Sequence, residues 1–248
     1  MALELDEYLL SVFMVVCRIG SCLMQLPGFS SARVPGRVRL FTTLALAFIV
    51  TPMLTGIDTL KRTAPAMLLA LVLAECFVGA SIGLVCRIYI AALEFVSAAI
   101  SNFIGLSGLG SGVEHDEPAA VVSTLITMAA TVVLLIMDLH RLMITILADS
   151  YVTIPLGAMP NTAAGLRLLV YTLGAAFLLG MQISGPFVIY GILVNLMFGI
   201  LGKLVVQVPS YFISVPFLAI GGLVVLYFSF GEMLLLFSQV VGAALSRL

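Results

Sequence analysis

The sequence predicts an all-α integral membrane protein with long, kinked helical hairpins. Of its 248 residues, 62% are hydrophobic and only 9% are charged, whereas a soluble domain carries about a quarter charged residues. The apolar residues form uninterrupted runs, several of them as long as the ~20 residues that a helix needs to span a bilayer. Such a chain cannot cover itself with polar side chains, so it must lie in lipid, in a larger apolar assembly, or in both.

Composition also excludes several classes of protein. The net charge is −1, from 11 basic and 12 acidic residues, which lacks the basic footprint that nucleic-acid binding needs. The four cysteines match no zinc pattern, and the chain has only two histidines. We find no nucleotide-binding, hydrolase or metalloprotease motif. The sequence therefore predicts neither an enzyme nor a cofactor.

The first apolar segment covers residues 8–26 and contains Arg18. An arginine at membrane depth must face protein or water because its burial in lipid is costly. A basic loop follows at residues 28–39, which favours a cytoplasmic position or docking to an acidic surface. Its turn signal and arginines are Arg33, Pro35, Arg37 and Arg39.

The next two segments, residues 40–57 and 65–104, differ in length. The first carries no charge, whereas the second would run about 60 Å as one helix, twice the thickness of a bilayer core. No Gly, Pro or Asn lies around Arg87, where two spans would have to meet. We therefore expect one long helix, with Gly79 and Gly83 forming a face for close helix contact.

The central loop, residues 105–118, reads GLSGLGSGVEHDEP in an otherwise apolar region. Its glycines permit tight turns, and its acidic residues need water or partners. The residues alone favour a plain connector at the membrane surface over a mobile element in a pathway. A metal site is not expected, because adjacent ligands rarely converge on one ion. The residues singled out are Gly105, Leu106, Gly108, Leu109, Gly110, Gly112, Glu114, His115, Asp116 and Glu117.

The second half begins with an uncharged span at residues 119–137 and a short segment at 142–154. Residues 168–202 carry no charge, and we expect the stretch around Pro186 to divide them into two short halves. A connector at residues 203–216 then precedes a last helix at 217–245. A small and polar stripe at i, i+4 spacing predicts a helix contact: Gly191, Asn195, Gly199 and Lys203.

Seven charged residues lie in or beside apolar segments: Arg18, Glu75, Arg87, Glu94, Asp138, Asp149 and Glu232. One interpretation is a small secondary transporter with a proton or ion site at Glu75 or Glu94. The other is structural pairing of these charges across helices or subunits. We favour pairing because arginines and carboxylates are mixed.

The order of these features resembles the FliR family of flagellar biosynthesis proteins, whose virulence-system counterpart is SctT. The match starts at Arg18, and residues 34–40 resemble the family's "(V/I)PxRVKL" element, with Arg39 where Lys is commoner. Ile104-Gly105-Leu106 leads into the glycine-rich loop, and residues 193–201 resemble "LxxNLxxGLL". Residues 207–208 and 213–217 resemble "PQ(L/V)" and "IGFP". The sequence departs from these elements at Val206, Ser214 and Val215.

The resemblance implies a structural, channel-forming subunit of the type III secretion export gate, serving flagellar protein export. It implies assembly with FliP- and FliQ-like subunits, contact with FlhB- and FlhA-like components, unfolded export substrates and membrane lipids, and no nucleic acid. The location would be the bacterial inner membrane, within the flagellar basal body. A blander alternative is an assembly factor that never lines a pore.

The resemblance also assigns parts of the chain. Residues 1–185 would be FliP-like and residues 186–248 a FliQ-like helical hairpin. The loop at residues 105–118 would contribute to the plug that closes the gate, against the preference for a plain connector. The expected subunit contacts are Arg18, Arg33, Pro35, Arg37, Arg39, Glu75, Asn195, Lys203, Gln207 and Pro216.

Overall fold

The computed structural model describes residues 2–26, 28–29, 34–54, 65–105, 119–204 and 210–247. Within these ranges the chain is helical and forms no strand, which confirms the all-α prediction. The helices are α1 (Ala2–Leu23), α2 (Gly36–Val50), α3 (Pro65–Phe103), α4 (Ala119–Ile136), α5 (Leu139–Thr153), α6 (Thr162–Leu204) and α7 (Ser210–Leu245), with a 3-10 turn at Thr51–Met53 after α2.

Four helical stretches in the described ranges are long and apolar enough to cross a membrane. They are α2 with its 3-10 turn, α3, α6 and α7, and the number rises to five if α4 and α5 count as one broken span. The break lies where Asp138 adopts a left-handed conformation with φ of 55°. Aspartate is one of the few residues other than glycine that tolerate this region. The prediction of an integral membrane protein is confirmed.

The longest helices test the predicted segment boundaries. Helix α3 is continuous over 39 residues, as expected from its lack of turn residues. Helix α6 is continuous over 43 residues and contains Pro186, so the predicted division into two halves is wrong. A proline removes one backbone hydrogen bond, but the helix keeps Ile183 and Phe187 packed on either side of it, both at least nine-tenths buried.

Helix α7 also begins earlier than predicted. It starts at Ser210 and includes Pro216, so the expected connector up to residue 216 is wrong at its end. Pro216 lies beyond the first turn of this helix, so it removes one i→i−4 hydrogen bond, and α7 remains helical around it. Residues 205–209 lie outside the described ranges.

The chain divides into two compact units. The first comprises Met1–Tyr89, Asp138–Gly174 and Val241–Leu248, and the second comprises Ile90–Met137 and Ala175–Val240. This grouping does not address the resemblance of residues 1–185 and 186–248 to other subunits, and that division stays a prediction.

In the first unit, α1 packs against α3 in a parallel register. A Cβ at Gly79 would collide with the carbonyl oxygen of Arg18, and one at Gly83 would lie 2.7 Å from the carbonyl oxygen of Cys22. The two contacts are four residues apart on both helices, so the backbones run alongside each other in the same direction. The predicted close-contact face is confirmed, and it brings Arg18 against α3.

In the second unit, glycines of α6 and α7 pack against the end of α3. Gly191 faces Phe103 and Gly222 faces Ile104. Helices α6 and α7 are tied together by Tyr190, whose hydroxyl donates to the carbonyl oxygen of Phe217 at 2.8 Å. These contacts bury small residues where two backbones approach each other.

Candidate functional site

Arg18 and Glu75 form a buried ion pair between α1 and α3. Their side chains are 0% and 1% exposed, and Arg18 Nε lies 2.5 Å from Glu75 Oε2. The register set by Gly79 brings them together, because Glu75 lies one turn before Gly79 on the same helix face. Both charges are removed from water, and each compensates the other.

Other groups of the first unit complete the surroundings of the pair. Arg18 Nη1 donates to Ser150 Oγ at 3.2 Å and to the carbonyl oxygen of Ile154 at 3.0 Å. The guanidinium carbon lies 4.1 Å from the centre of the Tyr151 ring, a cation–π contact. The last turn of α5 and the residue after it therefore enclose Arg18.

Glu75 uses its second oxygen as well. The backbone N–H of Gly157, in the connection between α5 and α6, donates to Glu75 Oε1 at 3.1 Å. Gly157 has φ of 78°, the left-handed region that favours glycine. With Oε2 on Arg18 and Oε1 on Gly157, the carboxylate has a protein partner on each oxygen. This arrangement joins α1, α3, α5 and the following turn, and it leaves no exposed carboxylate oxygen for a transported ion.

The predicted gate loop is described only at its first residue. Gly105 follows α3 with φ of 71°, and its N–H donates to the carbonyl oxygen of Asn102 at 3.1 Å. A left-handed glycine at this position turns the chain away from the helix axis. The remaining candidates lie outside the described residues: Leu106, Gly108, Leu109, Gly110, Gly112, Glu114, His115, Asp116 and Glu117.

The predicted subunit contacts do not converge on one place. Arg18 and Glu75 are buried together, and Pro35 immediately precedes α2. The structure exposes Pro35, Arg37, Asn195, Lys203 and Pro216, and it half-buries Arg39; Arg33 and Gln207 are outside the described residues. The role of all of them in subunit contact stays a prediction.

The other charges singled out in the sequence have different surroundings. Arg87 and Glu94 are half-buried on α3, whereas Asp149 and Glu232 are exposed. Asp138 lies 4.0 Å from His140 Nε2, and both side chains are largely exposed. Among the side chains whose burial the structure describes, Arg18–Glu75 is the one ion pair withdrawn from solvent.

Sequence reasoning missed the partners that α5 and its following turn supply. Ser150, Tyr151 and the carbonyl oxygen of Ile154 surround Arg18, and the Gly157 N–H binds Glu75. Two of the four are backbone groups, which every residue type offers, so the sequence does not mark them as partners. Tyr151 followed by a turn-rich stretch was visible in the sequence, but nothing there indicated which helix it faces.

Comparison with known proteins relates the chain to bacterial export proteins. The profile of a family described as "Bacterial export proteins, family 1" matches residues 9–244. The chain is 28% identical over 219 residues to the flagellar biosynthetic protein FliR of Caulobacter vibrioides, covering 87% of this chain and 86% of the relative. It is 24% identical to the FliR protein of Aquifex aeolicus, covering 90% of this chain and 86% of the relative. The corresponding protein of Escherichia coli is 24% identical, with 82% and 78% covered.

Proposed function

Since the chain belongs to the bacterial export proteins of family 1, the FliR family, we propose that it is a channel-forming subunit of the flagellar type III export gate. As a FliR-family protein the chain is a component of the flagellar export apparatus, with roles in flagellar biosynthesis and protein export. The relatives' names favour the flagellum over a virulence system. Assembly with FliP- and FliQ-like subunits in the inner membrane, within the basal body, is part of the proposal.

The observation that carries the proposal is the exposed apolar length of α6 and α7. Within an 18-residue apolar stretch of each helix, only 17% is buried inside the chain in α6 and 22% in α7. A helix of 43 residues is about 65 Å long, whereas a bilayer core covers about 30 Å. Lipid therefore covers about half of its length, and the rest needs apolar protein. Neighbouring subunits with long apolar helices supply that cover.

The proposal includes a plug formed by the loop at residues 105–118. Its support is positional: the loop follows a 39-residue helix, and the left-handed Gly105 redirects the chain at its start. Unfolded substrates would pass the loop, and energy would come from other components because the sequence contains no nucleotide motif. The chain itself would act structurally rather than as an enzyme.

The plug is tested by deleting Gly108–Gly112 from the chain in an assembled, co-expressed complex. We expect increased ion conductance of the complex in planar bilayers, because the shortened loop would no longer close the channel. A deletion of equal length at residues 56–60 serves as the control and should leave conductance low. Unchanged conductance of the Gly108–Gly112 deletion in a fully assembled complex would contradict the plug.

The transporter hypothesis makes a different prediction. It requires solute uptake by the purified chain alone in liposomes, abolished by neutralising Glu75 or Glu94 without loss of protein. The two engaged oxygens of Glu75 disfavour it. Uptake by the chain alone that is lost in Glu94→Gln would replace the gate proposal with the transporter.

A further inference from the structure

We propose that Cys17 of α1 and Cys76 of α3 form a reversible disulfide bond, a covalent modification site directly beside the Arg18–Glu75 ion pair. All four cysteines of the chain are free thiols in the structure, so the bond would be added to the fold described above. The inference is independent of the gate proposal, because it concerns two helices within one compact unit of the chain.

The close contact between α1 and α3 determines which residues of the two helices are level with each other. A Cβ at Gly79 would collide with the hydroxyl of Ser21 and with the carbonyl oxygen of Arg18. Cys17 lies one turn before Ser21 on the same face of α1. Cys76 likewise lies one turn before Gly79 on the same face of α3. Because the two helices run in the same direction, one turn back along both of them brings Cys17 opposite Cys76.

Contacts at the level of these two cysteines agree with this register. Arg18 and Glu75, their neighbours in the sequence, form the ion pair that joins the same two helices. The thiol groups of Cys17 and Cys76 also interact with each other. One turn further along, Gly79 has no side chain to keep the backbones apart. Such a close approach is what a disulfide needs, because its two Cα atoms lie within about 7 Å of each other.

The other two cysteines of the same helices are not level with each other. A Cβ at Gly83 would lie 2.7 Å from the carbonyl oxygen of Cys22, whereas Cys86 follows Gly83 by almost one turn. The offset of about 5 Å along the helix axis adds to the distance between the helices. The sum exceeds the Cβ–Cβ distance of about 4 Å in a disulfide. We therefore expect no bond between Cys22 and Cys86.

The modification is an oxidation by a disulfide-containing compound, such as oxidised glutathione or a protein dithiol in its disulfide form. The thiolate of one cysteine attacks the oxidant's disulfide, and the second cysteine then displaces the oxidant's remaining sulfur from the mixed disulfide. The chain loses two protons and two electrons, and the oxidant takes them up as two thiols. Cys17 and Cys76 are half-buried. A small oxidant can reach them, but burial disfavours the thiolate, so we expect the bond to form slowly.

The test is oxidation of the full-length chain in mild detergent with oxidised glutathione, followed by alkylation of the remaining thiols. Intact mass spectrometry should show that two of the four cysteines are protected from alkylation, and reduction with dithiothreitol should make all of them reactive again. Peptide mapping should recover Cys17 linked to Cys76. The bond should also raise the midpoint of thermal unfolding by roughly 5–15 °C, because it constrains the unfolded chain.

Cys22→Ser and Cys86→Ser are the matched controls, and both should leave the bond and the midpoint shift unchanged. Cys76→Ser should lose both, and Cys17 should then carry a glutathione adduct. Helix content measured by circular dichroism identifies a variant that fails to fold. Should Cys76→Ser fail in this way, Cys17→Ala still has to abolish the bond.

Four outcomes would overturn the proposal. A bond between Cys22 and Cys86 would show that α1 and α3 have a different register. Glutathione adducts without a crosslink would show that the Cys17 and Cys76 thiols do not meet. A crosslinked dimer on a non-reducing gel would assign these thiols to a contact between copies of the chain. Absence of a crosslink with both oxidised glutathione and the smaller oxidant diamide would show that the pair is not a modification site.

Discussion

The Arg18–Glu75 pair stabilises the first unit chiefly because neither charge is left alone in the interior. The net stability of a buried ion pair is small, since desolvation offsets most of the attraction, but loss of one partner is strongly destabilising. The surrounding contacts to Ser150, Tyr151, Ile154 and Gly157 depend on the same two side chains. A substitution at Arg18 or Glu75 should therefore lower the stability of the chain more than a substitution at an exposed charged residue.

We predict that Glu75→Gln lowers the free energy of unfolding of the purified chain by about 3–5 kcal/mol, because Arg18 becomes an unpaired buried charge. The measurement is thermal or denaturant unfolding of the full chain in detergent. Glu94→Gln, a half-buried carboxylate of the same helix, is the control and should change little.

The double substitution Arg18→Met with Glu75→Leu tests whether the loss in Glu75→Gln comes from an unpaired buried charge. It removes both charges and should recover most of the stability that Glu75→Gln loses, because no buried charge remains. A double variant as unstable as Glu75→Gln alone would mean that the other contacts of Arg18 carry the effect.

Asp138 offers a second prediction at the scale of one residue. Its φ of 55° lies in the left-handed region, which costs most L-residues roughly 1–2 kcal/mol. Asp138→Gly should leave the free energy of unfolding of the full chain nearly unchanged. Asp138→Val should lower that free energy by roughly 1–2 kcal/mol. Equal behaviour of the two variants would show that the backbone conformation between α4 and α5 is not constrained.

At the scale of elements, the contact of α1 with α3 depends on the absence of side chains. Gly79 and Gly83 allow the backbone of α1 to lie directly against α3. The sequence predicted this face from the i, i+4 spacing of two glycines, and it predicted the continuity of α3 from the lack of turn residues. Both signals are local, so they could be recognised without knowledge of the partner.

Gly79→Ala should destabilise the first unit, because its Cβ would collide with the backbone of Arg18 and neither backbone can move without disturbing the ion pair. We expect a loss of about 1–3 kcal/mol, as for overpacked cores, in unfolding of the purified chain. Gly174→Ala is the control, since nothing lies within 4 Å of its added Cβ. It should be neutral or stabilise α6 by roughly 0.5–1 kcal/mol.

The prolines of α6 and α7 show where sequence reasoning fails. Pro186 and Pro216 predicted breaks, yet both lie inside helices, because packing along the rest of a long helix outweighs one missing hydrogen bond. The partners of Arg18 illustrate the other limit. Arg18 and Glu75 stand out in the sequence, but Ser150 and Gly157 are ordinary residues that only the tertiary arrangement brings to the pair.

The described helices leave many large apolar side chains uncovered by the chain itself. Exposed large side chains run along α6, and the predicted contact residues Asn195 and Lys203 lie exposed among them. Polar groups inside an apolar assembly need partners on a neighbouring helix. We therefore expect this face to be covered in the intact export apparatus.

A photo-crosslinking amino acid at Asn195 should form products with co-expressed hydrophobic subunits, whereas the same probe at the exposed His140 should form few. The readout is mass spectrometry of the crosslinked bands after purification in mild detergent. Crosslinks to lipid alone at Asn195 would contradict the predicted subunit contact.

The distance along the chain between Arg18 and Glu75 has a consequence for biosynthesis. The two residues are 57 positions apart, so α1 leaves the ribosome well before its counter-ion is translated. During that interval a guanidinium without a partner makes release of α1 into lipid unfavourable. We therefore expect α1 to remain at the insertion machinery or the bilayer surface until α3 emerges, so that the two helices enter the membrane as a neutral pair.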